Sequence, residues 1–323
     1  MKPAIEIKNL VKRYRKANTN AVDDISLSVA EGEFFALLGP NGAGKTTTVS
    51  ILTTTLIKTS GDVRIVGFDL DTNEREIRKR VGVIFQGPSI DLNLTAEENI
   101  RFHAMLYGIY PFSPFYSFMP QEYRERVIEL SRLLDIEDAI FKPIRTFSGG
   151  MKRKLEIVRS LIHKPKVLFL DEPTTGLDPL SRRTLWKYLE RVRKEERTTI
   201  FLTTHYLEEA EVADHVGIVN NGKIVMYGSP KEIKQKLVHN ELIVDAENRD
   251  HLRRELLNFT EDIKGNGPFR VALGAPQHAQ EIIKSLHAPL TLLDVERPTL
   301  EDAYLAIIDH GSATKEPSQK EKI

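Results

Sequence analysis

Residues 34–46 read Phe34-Phe35-Ala36-Leu37-Leu38-Gly39-Pro40-Asn41-Gly42-Ala43-Gly44-Lys45-Thr46. The apolar run Phe34–Leu38 predicts a strand buried on both faces. Gly39 to Thr46 matches G-x-x-x-x-G-K-[ST], in which glycines let backbone N–H groups close around phosphate oxygens. Lys45 supplies a point charge to the outer phosphates, and the Thr46 hydroxyl is a magnesium ligand. The stretch with Ile51, Leu52, Thr55 and Leu56 reads as a helix, whose N-terminus adds partial positive charge. Strand, glycine loop and helix in this order predict a nucleotide site. Its candidate residues are Gly39, Pro40, Asn41, Gly42, Ala43, Gly44, Lys45, Thr46 and Thr47.

Outward from this loop, Val167–Leu170 is another buried apolar strand, and it ends at Asp171-Glu172. A carboxylate at such an end holds magnesium, directly or through water, which is the expectation for Asp171. Glu172 is placed to orient or deprotonate an attacking water. Further strands are expected at 5–11, 63–66, 81–85 and 199–203. Val216–Val219 and Ile224–Met226 read as a hairpin, because Asn221-Gly222 supplies the positive φ of a type I′ turn. Strands alternating with helices predict an α/β fold with a mostly parallel sheet. From about residue 94 to 163 the pattern is helical, with Val127, Leu130 and Leu134 on one face and Leu155, Val158 and Ile162 on another. That block reads as an inserted helical subdomain.

The chain has 323 residues, enough for about two domains. Lys plus Arg and Asp plus Glu are both 46, so the formal charge is zero, which argues against a general nucleic-acid or anionic-lipid binder. With no cysteine, thiolate nucleophiles, disulfides and cysteine-ligated metals are excluded. No apolar run approaches the roughly 18 residues of a membrane span, and the N-terminus shows no signal-peptide block.

Further motifs follow in a fixed order. Phe147-Ser148-Gly149-Gly150-Met151 precedes a helix, and a Ser-Gly-Gly there makes an anion-binding helix end. Asp178 lies in Gly176-Leu177-Asp178, His205 follows the 199–203 strand, Gln86 follows the 81–85 strand, and Tyr14 follows the first strand. Together with the loop and Asp171-Glu172, these motifs resemble ATP-binding-cassette (ABC) ATPases over roughly residues 5–230. The resemblance implies a RecA-like P-loop fold with an antiparallel β portion, and ATP with Mg2+. It implies Tyr14 stacking on adenine, Gln86 in the Q-loop as a metal and nucleotide contact, and Asp178 in the D-loop. It also implies Ser148, Gly149 and Gly150 as the signature loop, and His205 as the γ-phosphate sensor. The family commonly has Leu and Gln where Phe147 and Met151 stand, which puts in doubt the glutamine's hydrogen bond and not the phosphate contact. Lys152, Arg153 and Lys154 read as a solvated helix face.

In this family two cassettes pair head to tail, each loop facing the other's signature across ATP. One copy of each motif therefore implies a second copy of the chain as partner. The ATPase unit is expected over 1–240, a small C-terminal α/β domain over 241–310 and a disordered tail over 311–323. In the small domain, strands are expected at 241–246, 269–273 and 290–295, and helices at 249–258, 276–286 and 299–309. Arg297-Pro298-Thr299-Leu300-Glu301-Asp302-Ala303-Tyr304 resembles the C-terminal extension of bacterial drug-exporter cassettes of the daunorubicin-resistance type. That implies a separate transmembrane permease as partner, a peripheral cytoplasmic location on the inner membrane face, and no nucleic acid. The alternative is a soluble cassette acting on nucleic acid or ribosomes. A GTPase is a weaker alternative, since no Asn-Lys-x-Asp stretch is present. Residues 111–120 concentrate Phe112, Phe115, Tyr116 and Phe118 between prolines, and read as a loop folded onto its own subdomain, with an exposed docking patch as the alternative.

Overall fold

The computed structural model describes residues 2–85, 87, 90–237, 240–273, 276–297 and 299–312. These residues form two compact units, which divide between Tyr227 and Gly228. In the first, β1 (Pro3–Lys12), β2 (Val22–Ala30), β4 (Ser60–Ile65) and β5 (Phe68–Asp69) make a sheet of order β2-β1-β4-β5, antiparallel throughout. A second sheet contains β3 (Phe34–Leu38), β6 (Val81–Ile84), β7 (Val167–Asp171), β8 (Thr199–Thr204), β9 (His215–Asn220) and β10 (Lys223–Gly228), in the order β10-β9-β3-β8-β7-β6. The pairs β6–β7, β7–β8, β8–β3 and β3–β9 are parallel.

The two sheets differ as their sequences do. Every residue of β3, β7 and β8 is buried, because helices or the other sheet cover both faces. β2 alternates buried and exposed, as a half-covered antiparallel strand must. Between the sheets lies α1 (Lys45–Leu52). Its Val49, Ile51 and Leu52 join one core with Ile5, Ile7 and Leu10 of β1 and with Phe35, Phe169 and Phe201 of the parallel sheet. The helix that follows the glycine loop is thus gripped from both sides.

The other helices of this unit are α2 (Glu74–Arg78), α3 (Ala96–Leu106), α4 (Gln121–Leu133), α5 (Gly149–Leu161), α6 (Pro179–Glu196) and α7 (Leu207–Glu211). From α3 to α5 the chain between β6 and β7 holds helices and no named strand. The Thr95 hydroxyl accepts from Glu98 N and the Glu98 carboxylate accepts from Thr95 N, a reciprocal cap that starts α3. Asn221 and Gly222, at φ 48° and 79°, make the type I′ turn between β9 and β10.

The second unit holds α8 (Pro230–Leu237), β11 (Asn240–Ala246), α9 (Arg249–Leu256), β12 (Ile263–Lys264), β13 (Phe269–Leu273), α10 (Pro276–Ser285), β14 (Leu290–Glu296) and α11 (Leu300–Ser312). Its antiparallel sheet runs β12-β13-β11-β14 over a core with Leu242, Leu252, Leu256, Phe269 and Val271. Its boundary lies before α8 and not at residue 240, because α8 packs with α11. Gly311 and Ser312, expected in a disordered tail, close α11, and residues 313–323 lie outside the described residues.

The stretch 111–120 shows features of both its expected readings. Its backbone is tied down: Arg101 Nη1 donates to Ser113 O at 2.8 Å and to Pro114 O at 2.7 Å. The rings of Phe112, Phe115 and Phe118 are nonetheless exposed, at 78%, 61% and 70%. The loop folds onto its subdomain through main chain, through buried Met119 and through the Tyr116 ring, which meets Tyr123 and Phe141, and leaves its three phenylalanine rings outside.

Candidate functional site

Parallel strands bring their carboxyl ends to one edge, where α/β sheets bind ligands. Here β3, β8 and β7 are adjacent, with Leu38 level with Thr204 and Asp171 level with Thr203. The residues that follow each strand therefore meet: Gly39–Thr46 after β3, Asp171-Glu172 at the end of β7, and His205 after β8. Ala21, Asn41, Gly42, Gly44, Lys45, Thr46, Thr47 and Glu172 line a cavity of about 370 Å³.

The loop's glycines are needed at two positions. A Cβ on Gly39 would lie 2.3 Å from Val219 O. Gly44 sits at φ 104°, and a Cβ there would lie 2.3 Å from Ala21 O. Lys45 is only 4% exposed, and its Nζ donates to Gly39 O at 2.8 Å and Pro40 O at 3.1 Å, so the ammonium is curled into its own loop. Glu172 Oε1 lies 3.7 Å from it. Burial holds the Lys45 ammonium below the ordinary lysine value, with the charges of Glu172 and Asp171 acting against that shift.

Thr46 Oγ1 donates to Asp171 Oδ1 at 3.2 Å, and Thr203 Oγ1 donates to the same oxygen. Asp171 Oδ2 is buried with no hydrogen-bond partner among the described residues. Burial raises the Asp171 pKa, and the two threonine hydrogen bonds oppose the rise. A buried carboxylate oxygen left unpaired beside a threonine hydroxyl fits a hard cation that takes its remaining ligands from phosphate and water. Among the described residues no cluster of three His, Cys, Asp or Glu offers an all-protein metal site.

His205 Nδ1 lies 3.2 Å from Glu172 Oε1. Tyr14 stands at the rim, 45% exposed, with its hydroxyl 3.5 Å from Thr47 Oγ1 and Lys12 Nζ 5.4 Å from its ring centroid. Asp178 caps α6, accepting from Leu180 N and Ser181 N at 3.0 Å each. Gln86 lies outside the described residues.

Ser148, Gly149 and Gly150 are not among the residues lining the cavity. Ser148 caps α5 through Met151 N at 3.2 Å, and the helix end is largely open to solvent. Phe147 is buried in place of the more usual leucine.

Sequence reading missed three side chains that shape this edge. Thr203 holds Asp171, and the alternation of a buried strand gives no sign of it. Glu209 of α7 is buried and accepts from both Thr174 and Thr204, which join the Asp171-Glu172 turn to the His205 turn. Arg153, expected on a solvated face, is also buried, because its guanidinium finds main-chain carbonyls inside the fold.

A sheet that aims a glycine loop, a buried lysine and paired carboxylates at one small polar cavity defines a nucleoside-triphosphate-hydrolysing α/β protein. Residues 22–175 match the ABC transporter family. The daunorubicin/doxorubicin resistance ATP-binding protein DrrA of Streptomyces peucetius is 34% identical, over 99% of this chain and 98% of that protein. The Nod factor export ATP-binding protein I of Ralstonia nicotianae is 34% identical over 91% of this chain and 92% of its own length. A solved ATP-binding subunit of an ABC transporter superposes with a TM-score of 0.64 at 31% identity, covering 72% of this chain and 92% of that one. A bacterial ABC transporter cassette solved as a dimer gives 0.63 at 25% identity, covering 70% and 98%. The chain belongs to the ATP-binding subunits of the ABC transporter family and is an ATPase of that kind.

Proposed function

We propose that two copies of this chain close head to tail around ATP and that its hydrolysis drives a separate membrane permease. The observation that carries this reading is the separation of two phosphate-binding ends within one chain. The Gly39–Thr46 loop lines a cavity, and the Ser148–Gly150 helix end is open to solvent and takes no part in that lining. A second copy supplies the missing half with C2 symmetry.

In this reading Lys45 leaves Gly39 O and Pro40 O for the β and γ phosphates, and the N–H groups of the loop surround them. Thr46 and Asp171, together with Gln86, would hold magnesium, which when bound would neutralise charge on the phosphates. Glu172 orients the attacking water and takes its proton, His205 steadies the Glu172 carboxylate and senses the γ-phosphate, and Tyr14 stacks on the adenine.

Among the described residues no helix is long and apolar enough to cross a membrane, so coupling to transport needs a permease partner. Full-length relatives are named for daunorubicin resistance and Nod factor export, which supports a small amphipathic cargo and export from the cytoplasmic face. The exposed rings of Phe112, Phe115 and Phe118 offer an apolar surface to such a partner.

A mixing experiment tests the paired site. Lys45→Ala and Gly149→Asp chains are each inactive alone, and a mixed dimer has one undamaged composite site. Recovery of about a quarter of wild-type ATPase is expected from random pairing, and no recovery would overturn the head-to-tail reading.

A further inference from the structure

Arg153 stands in the basic run after the Ser-Gly-Gly, yet it behaves unlike its neighbours. It is 8% exposed, whereas Lys152 and Lys154 are half-buried, and Lys154 comes no closer than 3.9 Å to Asp135. Among the described residues the Arg153 guanidinium makes four hydrogen bonds. Nε donates to Pro173 O at 3.0 Å, Nη1 to Phe85 O at 2.6 Å and to Glu156 Oε2 at 2.9 Å, and Nη2 to Glu172 O at 3.4 Å. Three segments meet on it: α5, the end of β6 just before Gln86, and the turn after β7. A planar fork of donors spreads over several atoms and reaches acceptors on three segments at once, which the point-like head of a lysine does not match.

The turn it grips is a strained one. Glu172 has φ 47°, a region that a residue with a side chain rarely occupies unless its surroundings impose it. Here Glu172 N donates to Thr203 O at 3.1 Å, Thr175 N donates to Glu172 O at 3.3 Å, and Thr174 Oγ1 donates to Glu209. Arg153 adds the hold from the α5 side, on the carbonyls of Glu172 and Pro173 themselves.

We propose that Arg153 is a positioning residue: from the helix that begins at Ser148-Gly149-Gly150, it fixes the turn that aims the Glu172 carboxylate. This rests on the reading of Glu172 as the water-orienting group. It makes the signature helix and the catalytic turn one mechanical piece within a chain, so that an ATP-dependent shift at the start of α5 reaches Glu172 through a single side chain.

Single-turnover ATP hydrolysis and ATP affinity of Arg153→Met, Glu172→Gln and the double variant test it. Arg153→Met is expected to slow turnover by roughly 10–100-fold while leaving the ATP Kd within about threefold, since the Gly39–Thr46 loop is untouched. The double variant is expected to be no slower than Glu172→Gln alone. Multiplying losses in the double variant, or equal losses of affinity and turnover in Arg153→Met, overturn the proposal. If Arg153→Met does not fold, Arg153→Lys serves in the same cycle. It keeps the charge beside Glu156 and loses the fork, so intermediate turnover is expected, and wild-type turnover overturns the proposal. A Glu172→Gln chain that hydrolyses at the wild-type rate removes the Glu172 reading itself, an outcome distinct from additivity.

Discussion

Two buried charge clusters in the ATPase unit look alike in composition and differ in completeness. In the first, Glu97, Arg101 and Tyr123 saturate one another: Arg101 Nε donates to both Glu97 oxygens at 3.0 and 3.2 Å, and Tyr123 Oη donates to Glu97 Oε1 at 3.1 Å. Arg101 Nη1 donates to Ser113 O and Pro114 O. In the second, Lys45 bonds carbonyls of its own loop and Asp171 keeps an unpaired buried oxygen. The first cluster is complete without a ligand, so it holds structure. The second is completed only by something from outside, so it binds.

That contrast is broken most directly through Glu172→Gln. Turnover is expected to fall by about 10³-fold, with ATP binding and thermal stability retained and a stable ATP-bound dimer on gel filtration. A comparable loss of stability would place Glu172 with the structural cluster.

Arg101→Met is the reciprocal test. It strands the Glu97 carboxylate, whose pKa burial already raises, and frees the backbone of the aromatic stretch. A loss of about 3 kcal/mol in urea unfolding is expected, with ATP affinity unchanged. Lost affinity at full stability would contradict the contrast.

Tyr14→Ala sharpens the boundary of the binding cluster. Removing a stacking ring costs about 1–3 kcal/mol, so the ATP Kd should rise by about tenfold or more while Mg2+-free triphosphate binding stays constant. An unchanged Kd would leave Tyr14 as a rim residue only.

The smallest effect is a pH dependence of the helical segment. Burial holds His103 down to about 2 and His163 down to about 4, so both stay neutral in the fold. Both protonate on unfolding near the ordinary histidine value of about 6.5. Their contribution is therefore present above that pH and is lost as pH falls toward the folded values, by at most about 1.4 kcal/mol per pH unit each. His103→Gln should flatten the acid limb of a Tm-against-pH curve, and an unaltered slope would refute the neutral assignment.

Much of this was legible in the residues. Phe34–Leu38 and Val167–Leu170 announce strands covered on both faces, and the Asn221-Gly222 turn announces its hairpin. β2 went unread despite the alternation of Val22, Ile25, Leu27 and Val29, because a half-exposed strand differs little from a polar loop beside a strong motif. β5, β12, α2, α7 and α8, each of two to eight residues, also went unread, since so few positions carry little periodicity. Arg153 and Glu209 were missed for a different reason. A charge in sequence is read as solvent-facing, and only a fold that brings carbonyls or hydroxyls to it makes burial affordable.

Sequence alone determined which chemical groups stand at the strand ends, because the spacing of glycine, lysine and threonine around a helix start is local geometry. The tertiary structure decided which of them meet. Level registry of β3, β8 and β7 brings the loop, Asp171, Glu172 and His205 to one edge and leaves Ser148–Gly150 outside the cavity. Strand order and register depend on how distant segments cover one another's apolar faces, a long-range balance that no local pattern encodes.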